Sequence, residues 1–190
     1  MSVSEEFLLF ESQQDWAQWL SIHQDSSSGI WMMIAKKQSH KVSVNHAAAL
    51  EIALCYGWID AIRKSLDENF FLQRFTPRKA GSNWSKVNRE KVEQLIAEGK
   101  MLPPGIKAIE VSKKNGSWDR AYEPQSTIQV PPDLEVEFKK SLKAKSFFDQ
   151  LDSRNRYAIL FRISTAVKPE TRHRRIEQFV KMLEENRKIY

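Results

Sequence analysis

The sequence predicts an α+β fold: a small, mainly antiparallel N-terminal sheet with helices, followed by a helical C-terminal subdomain. Three observations predict it. Runs rich in aromatic and aliphatic residues that suit strands all fall before Pro77. From Val92 to Leu183 apolar residues recur instead at helical spacing. Ahead of the last, wholly helical stretch, Gln125 to Pro132 is turn-rich and broken by prolines, which reads as a linker. The expected domains are therefore 1–124, an α+β unit, and 133–190, a helical subdomain packed on it.

The elements follow in order. Phe7 to Phe10 suits a short strand. Ser12 offers an N-cap with Asp15 three residues on, and Trp16, Trp19, Leu20 and His23 follow at helical spacing. Asp25 to Gly29 is a loop, and Ile30 to Ala35 a largely buried strand. Ser43 or Asn45 can cap the next helix, Ala47 to Tyr56, which is apolar nearly all round and so expected to be buried. Gly57 fits the position just past its end. Trp58–Ser65 and Phe70–Thr76, joined by Leu66–Asn69, read as a hairpin. Ser82 to Ser85 can cap a helix with Val92, Leu95 and Ile96 inward, stopping at Gly99. Pro103 and Pro104 open another helix, about Gly105 to Lys114. Beyond the linker, Leu134, Phe138 and Leu142 recur at four; Phe147, Phe148 and Leu151 form a second cluster; Tyr157, Leu160 and Phe161 a third. Ile176, Phe179, Val180 and Leu183 then form the stripe of a last helix with Pro169 in its first turn. That stripe needs an apolar partner, expected on the N-terminal sheet.

Composition excludes several classes. With 190 residues and 41% hydrophobic, the chain can bury a core without metal or disulfide help. A single cysteine, Cys55, excludes an intrachain disulfide and a multi-cysteine metal site. His23, His40, His46 and His173 show no metal-ligand spacing, so no metal and no cofactor is expected. Mean hydropathy is −0.54, and no apolar run approaches the ~18 residues of a membrane span. Met1 to Glu6 lacks the basic and apolar regions of a secretory signal, so a cytoplasmic protein is expected. The net charge of +6 is uneven. Residues 1–60 hold 3 Lys/Arg against 7 Asp/Glu, residues 61–120 hold 13 against 7, and residues 151–190 hold 10 against 5. Such asymmetry favours an anionic partner, although solvated helix faces carry similar charge.

The candidate site residues are Trp58, Asp60, Arg74, Thr76, Arg78, Ser82, Trp84 and Ser85. Strand alternation sends Trp58 and Asp60 to one face, either as core plug and ion-pair partner or as the edge of a pocket. Arg74 and Thr76 share a face, and Pro77 to Gly81 holds Arg78 near a helix start whose N–H groups favour anions. The same arginines could instead pair with Asp60, Asp67 or Glu68 and merely hold the hairpin. Trp84, Trp118 and Tyr122 supply either a stacking surface or an ordinary core seam. Cys55 on an apolar helix reads as an inert small hydrophobe, and no residue is assigned a catalytic role. Thr171 to Arg175 crowds cations into a helix N-terminus, which opposes the macrodipole and calls for a carboxylate or anion partner. A clamp from Arg172 and Arg175 onto the other half of the chain is the favoured explanation.

Several strings resemble the YdeI/OmpD-associated family, also called the bacteriocin-protection family. They are Leu54-Cys-Tyr-Gly-Trp-Ile-Asp60, Arg74-Phe-Thr-Pro-Arg78, Ser82-Asn-Trp-Ser-Lys-Val-Asn88, Glu98-Gly-Lys-Met101, Gly116-Ser-Trp118 with Ala121-Tyr122, Asn155-Arg-Tyr157 and Glu170-Thr-Arg-His-Arg-Arg-Ile176. The resemblance implies a bacterial protection or stress-resistance role and no reaction, cofactor or catalytic residue. The expected function is a non-enzymatic binding protein with an anion pocket near the hairpin, its partner a small anion or a protein. Two alternatives stand beside it: a nucleic-acid-binding protein, resting on charge and aromatics, and an enzyme on a small anion with Asp60 as acid/base.

Overall fold

The computed structural model describes residues 6–190; the N-terminal stretch read above for a secretory signal lies, apart from Glu6, outside them. Among the described residues the fold is α+β, with four strands in one sheet and eight helices. The chain divides into two compact units, one running to Ser82 and resuming over Asn88–Asp119, the other comprising Asn83–Val87 and Arg120–Tyr190.

The first unit holds β1 (Phe7–Leu9), α1 (Gln13–His23), β2 (Ile30–Ala35), α2 (His46–Cys55), β3 (Trp58–Ser65) and β4 (Phe70–Pro77). It also holds α3 (Lys86–Ala97) from Asn88 onward and α4 (Pro103–Lys114). The sheet order is β1-β2-β4-β3, with β1–β2 parallel and the other two pairings antiparallel. The Ser12 cap forms a full capping box with Asp15. At α2 the choice falls to Asn45, whose side chain accepts from the Ala48 N–H at 3.0 Å, while the Ser43 hydroxyl accepts from the Ala35 N–H. Gly57, at φ +72, ends α2 where any Cβ would lie 2.8 Å from the Pro104 carbonyl oxygen. At Gly105 a Cβ would lie 2.5 Å from the Cys55 carbonyl, so glycine alone lets α4 start against the end of α2.

One face of the sheet carries Ile30, Met32, Ile34, Trp58 and Phe75, which form a core with Trp16 and Leu20 of α1 and Ala49 and Ala53 of α2. The Trp16 indole N–H donates to the Ala49 carbonyl at 3.0 Å, tying the helices together. A β-bulge between Asp60 and Arg63 then turns the outer half of β3 to solvent. In α3, Val92 and Leu95 are buried as expected, but Ile96 is 43% exposed; the apolar stripe there is narrower than three residues.

The second unit is helical: α5 (Pro132–Lys140), α6 (Leu142–Gln150), α7 (Ser153–Ser164) and α8 (Pro169–Glu184). Leu134, Phe138, Phe148, Ile159, Ile163, Ile176 and Leu183 build its core. The α8 stripe therefore finds its apolar partner inside its own unit, with Phe179 and Val180 packed on that core. Leu142 does not continue the Leu134–Phe138 repeat and is 78% exposed. Ser141 breaks the helix: its N–H closes α5 onto the Glu137 carbonyl, while its hydroxyl caps α6 at the Ala144 N–H.

Arg172 is clamped bidentately to Asp133, at 2.5 and 2.8 Å, and donates also to the Ile163 carbonyl at 3.0 Å. Arg175 donates to the Arg162 carbonyl. The expected clamp onto the other half of the chain is thus corrected: both arginines bind within the helical unit, because α5 and α7 bring an acceptor to each. The Arg172 guanidinium holds the Asp133 carboxyl below the usual aspartate range.

Candidate functional site

Strand register decides where Arg74 goes. On β4 it pairs with Trp31 of β2, one residue before the Phe75–Ile30 pair that faces the core. Alternation therefore sets Arg74 on the opposite face beside Trp31. Its guanidinium lies 5.7 Å from the Trp31 ring centre, and the Lys64 ammonium lies over the same ring at 4.3 Å. Two cations thus cover an indole that is only 5% exposed.

Arg74 also lines an open cleft of about 670 Å³ at the end of the sheet nearest β1. Trp19 and His23 from the last turns of α1 form one wall, and Ser26, Ser27 and Gly29 another. Trp19 stacks on Trp16 at 5.5 Å and packs on the His23 ring at 4.7 Å, which fixes that wall. Glu6 and Leu8 close the β1 side. Gly29, at φ +128, is indispensable to the shape. A Cβ there would stand 2.6 Å from the Phe75 carbonyl oxygen, 2.7 Å from Thr76 Cγ2 and 3.1 Å from Arg74 Nη2. Among the described residues Arg74 forms no ion pair, which leaves a guanidinium fork beside hydroxyls and an imidazole.

The other expected site residues are scattered. Trp58 is a core plug, 1% exposed, with edge-on contacts to Trp16 and Trp19. Asp60 shares that face but meets His46 at 3.0 Å, not an arginine. Asp67 is spent on the hairpin turn, accepting from the Asn69 and Phe70 N–H groups. Thr76 flanks Gly29 and so belongs to the cleft's margin. Arg78 donates its backbone N–H to the Gly57 carbonyl. The Ser82 hydroxyl accepts from the Lys79 N–H in a turn, and α3 begins only at Lys86, so Ser82 does not open a helix. Trp84 and Ser85 belong to the second unit, Trp84 2% exposed and Ser85 bridged to Tyr122. Trp118, in the first unit, is buried under Arg89 and Lys113, whereas Tyr122 meets Phe161 edge-on in the second.

Burial, reinforced by Glu51, pushes the Cys55 thiol up, which suits an inert core residue. Among the described residues no cluster of three His, Cys, Asp or Glu could hold a metal ion. No described helix is long and apolar enough to cross a membrane.

The cleft's other walls were not read from the sequence. Trp19 and His23 look like stripe residues of a helix, and Trp31 like a core residue of β2. The one local signal was Gly29 closing a serine-rich loop ahead of a strand.

Two family profiles match the chain. Residues 8–108 match a domain of unknown function, DUF8412, and residues 127–186 match the family described as bacteriocin-protection, YdeI or OmpD-associated. The strings from Leu54 to Met101 fall in the first segment, and Asn155–Tyr157 and Glu170–Ile176 in the second. No curated protein and no solved structure matches significantly.

Proposed function

From a chain that belongs to the DUF8412 family through residues 8–108, and that carries a bacteriocin-protection, YdeI or OmpD-associated segment over 127–186, we propose a non-enzymatic binding protein that takes a small anion against Arg74. A bacterial stress or bacteriocin-protection role, in the cytoplasm, belongs to the same reading. The observation that carries it is the placement of the Arg74 guanidinium on the wall of the open cleft, with no ion pair to any described carboxylate. Trp31 behind it restricts its rotamers, so less side-chain entropy is lost when an anion binds, and Gly29 leaves it room. Ser27 and His23 add donors from the other two walls.

Calorimetric titration with inorganic phosphate tests this. Arg74→Gln is expected to weaken binding by about tenfold or more, the scale of a lost hydrogen bond to a charged group. Its melting temperature should stay unchanged. Equal phosphate affinity in both proteins would overturn the reading. Nucleic acid is the second reading, favoured by Lys64 and Arg74 crowding one indole. It requires a steep log–log salt dependence for a single-stranded oligonucleotide that inorganic phosphate does not show.

A further inference from the structure

We infer that the helical unit holds a second ligand site, for a small organic acid with an apolar body, in the cavity between residues 125–130 and α7. The cavity is half-open and offers about 250 Å³. Ile128, Val130, Phe148 and Leu160 make its floor; Phe148 and Leu160 belong to the core, and the other two pack on it. A void of about 150 Å³ in a protein interior already accepts benzene, so the space suffices for one ring or a short chain. Arg156 and Tyr157 stand at its mouth.

The three arginines of α7 divide by role. Arg154 and Arg162 lie over the Tyr190 ring at 4.2 and 6.0 Å, and so are committed to the chain itself. Arg156, exposed, pairs with no carboxylate among the described residues. Nor does the Tyr157 hydroxyl have a hydrogen-bond acceptor among them. Burial pushes the Tyr157 phenol up, aided by Tyr122, so it stays protonated and able to donate. Guanidinium and phenol therefore offer two donors above an apolar floor, which is the complement of a carboxylate on a hydrocarbon body.

The turn that presents them is rigid. Asn155, between Arg154 and Arg156, is 1% exposed and uses all of its hydrogen-bonding capacity. Its oxygen accepts from the Ile189 and Tyr190 N–H groups at 3.0 and 2.9 Å. Its amide donates to Asp152 at 2.9 Å and to the Tyr190 carbonyl at 3.4 Å. Such a locked turn leaves little ordering to be done when a ligand arrives.

Titration of the full chain with benzoate tests the site, with benzyl alcohol as the uncharged ring of similar size. Benzoate is expected to bind about tenfold or more tightly than the alcohol, because the alcohol cannot use the guanidinium. Arg156→Gln, a change at an exposed position, should remove that preference, and Tyr157→Phe should weaken benzoate severalfold. Arg74→Gln should leave benzoate binding intact, which separates this site from the cleft of the first unit. Absence of benzoate binding, equal affinity for the alcohol, or unchanged binding in Arg156→Gln would each overturn the inference. So would loss of benzoate binding in Arg74→Gln.

Discussion

Arg74 and Arg172 look alike in the sequence, each set in a short basic string beside a proline, yet the fold gives them opposite work. Arg172 has Asp133 in a two-pronged clamp and the Ile163 carbonyl beneath it. Arg74 has an indole behind it, a glycine beside it and an open cleft before it. One guanidinium is consumed by an ion pair, and the other has no carboxylate partner among the described residues. What lies across from an arginine decides its role, and that partner comes from a distant stretch of chain: 39 residues away for Arg172, and from the opposite strand for Arg74.

The largest effect that would sharpen this contrast is expected at Gly29. Gly29→Ala should cost about 2–4 kcal/mol, since it adds left-handed strain to a clash with the Phe75 carbonyl. Any protein that still folds should also lose phosphate binding, because Arg74 Nη2 must move aside. Chemical denaturation and phosphate titration on the same variant measure both.

Next comes the structural arginine. Arg172→Ala should lower stability by about 1–2 kcal/mol; the pair is partly exposed, so the ion-pair share is modest, and the lost bond to Ile163 adds to it. Arg74→Ala should change stability by less than about 1 kcal/mol, since the half-buried side chain gives up only its contact with the Trp31 ring. Equal losses from the two substitutions, in urea melts under one buffer, would break the comparison.

The smallest effect is in pH. Arg172 lowers the Asp133 pKa in the folded state, so the pair's stabilisation is complete above the unfolded aspartate value. It is lost as pH falls through the lower folded value, a window beginning at about pH 4. Asp133→Asn should therefore flatten the fall of melting temperature with acid in that window. A profile that keeps its slope would place the acid-sensitive group elsewhere.

Much of the scaffold was legible because its signals are local. Ser12 and Asp15 make their capping box within one turn, Gly57 supplies the positive φ that ends α2, and the Phe70 to Pro77 run pairs antiparallel with β3 as the hairpin its aromatics and turn residues suggest. Leu142 and Ile96 misled because period-four apolar spacing says nothing of a helix break at Ser141, or of how wide a neighbour's groove is. Of the site, strand alternation made Arg74 and Thr76 legible. Its other walls were not, since α1 and the parallel β1–β2 pairing bring Trp19, His23 and Leu8 there from positions 50 or more residues earlier. Ser82 misled for a related reason: its hydroxyl is taken up by a turn at Lys79, and only Ser85 stands directly before α3.

The most direct test of the contrast is side-chain NMR of the arginine Nε–Hε resonances during titration with inorganic phosphate. Arg74 should shift progressively and saturate, while Arg172 and Arg175, already held by Asp133 and the Arg162 carbonyl, should stay fixed. Shifts confined to Arg172 and Arg175, with Arg74 unmoved, would contradict the account.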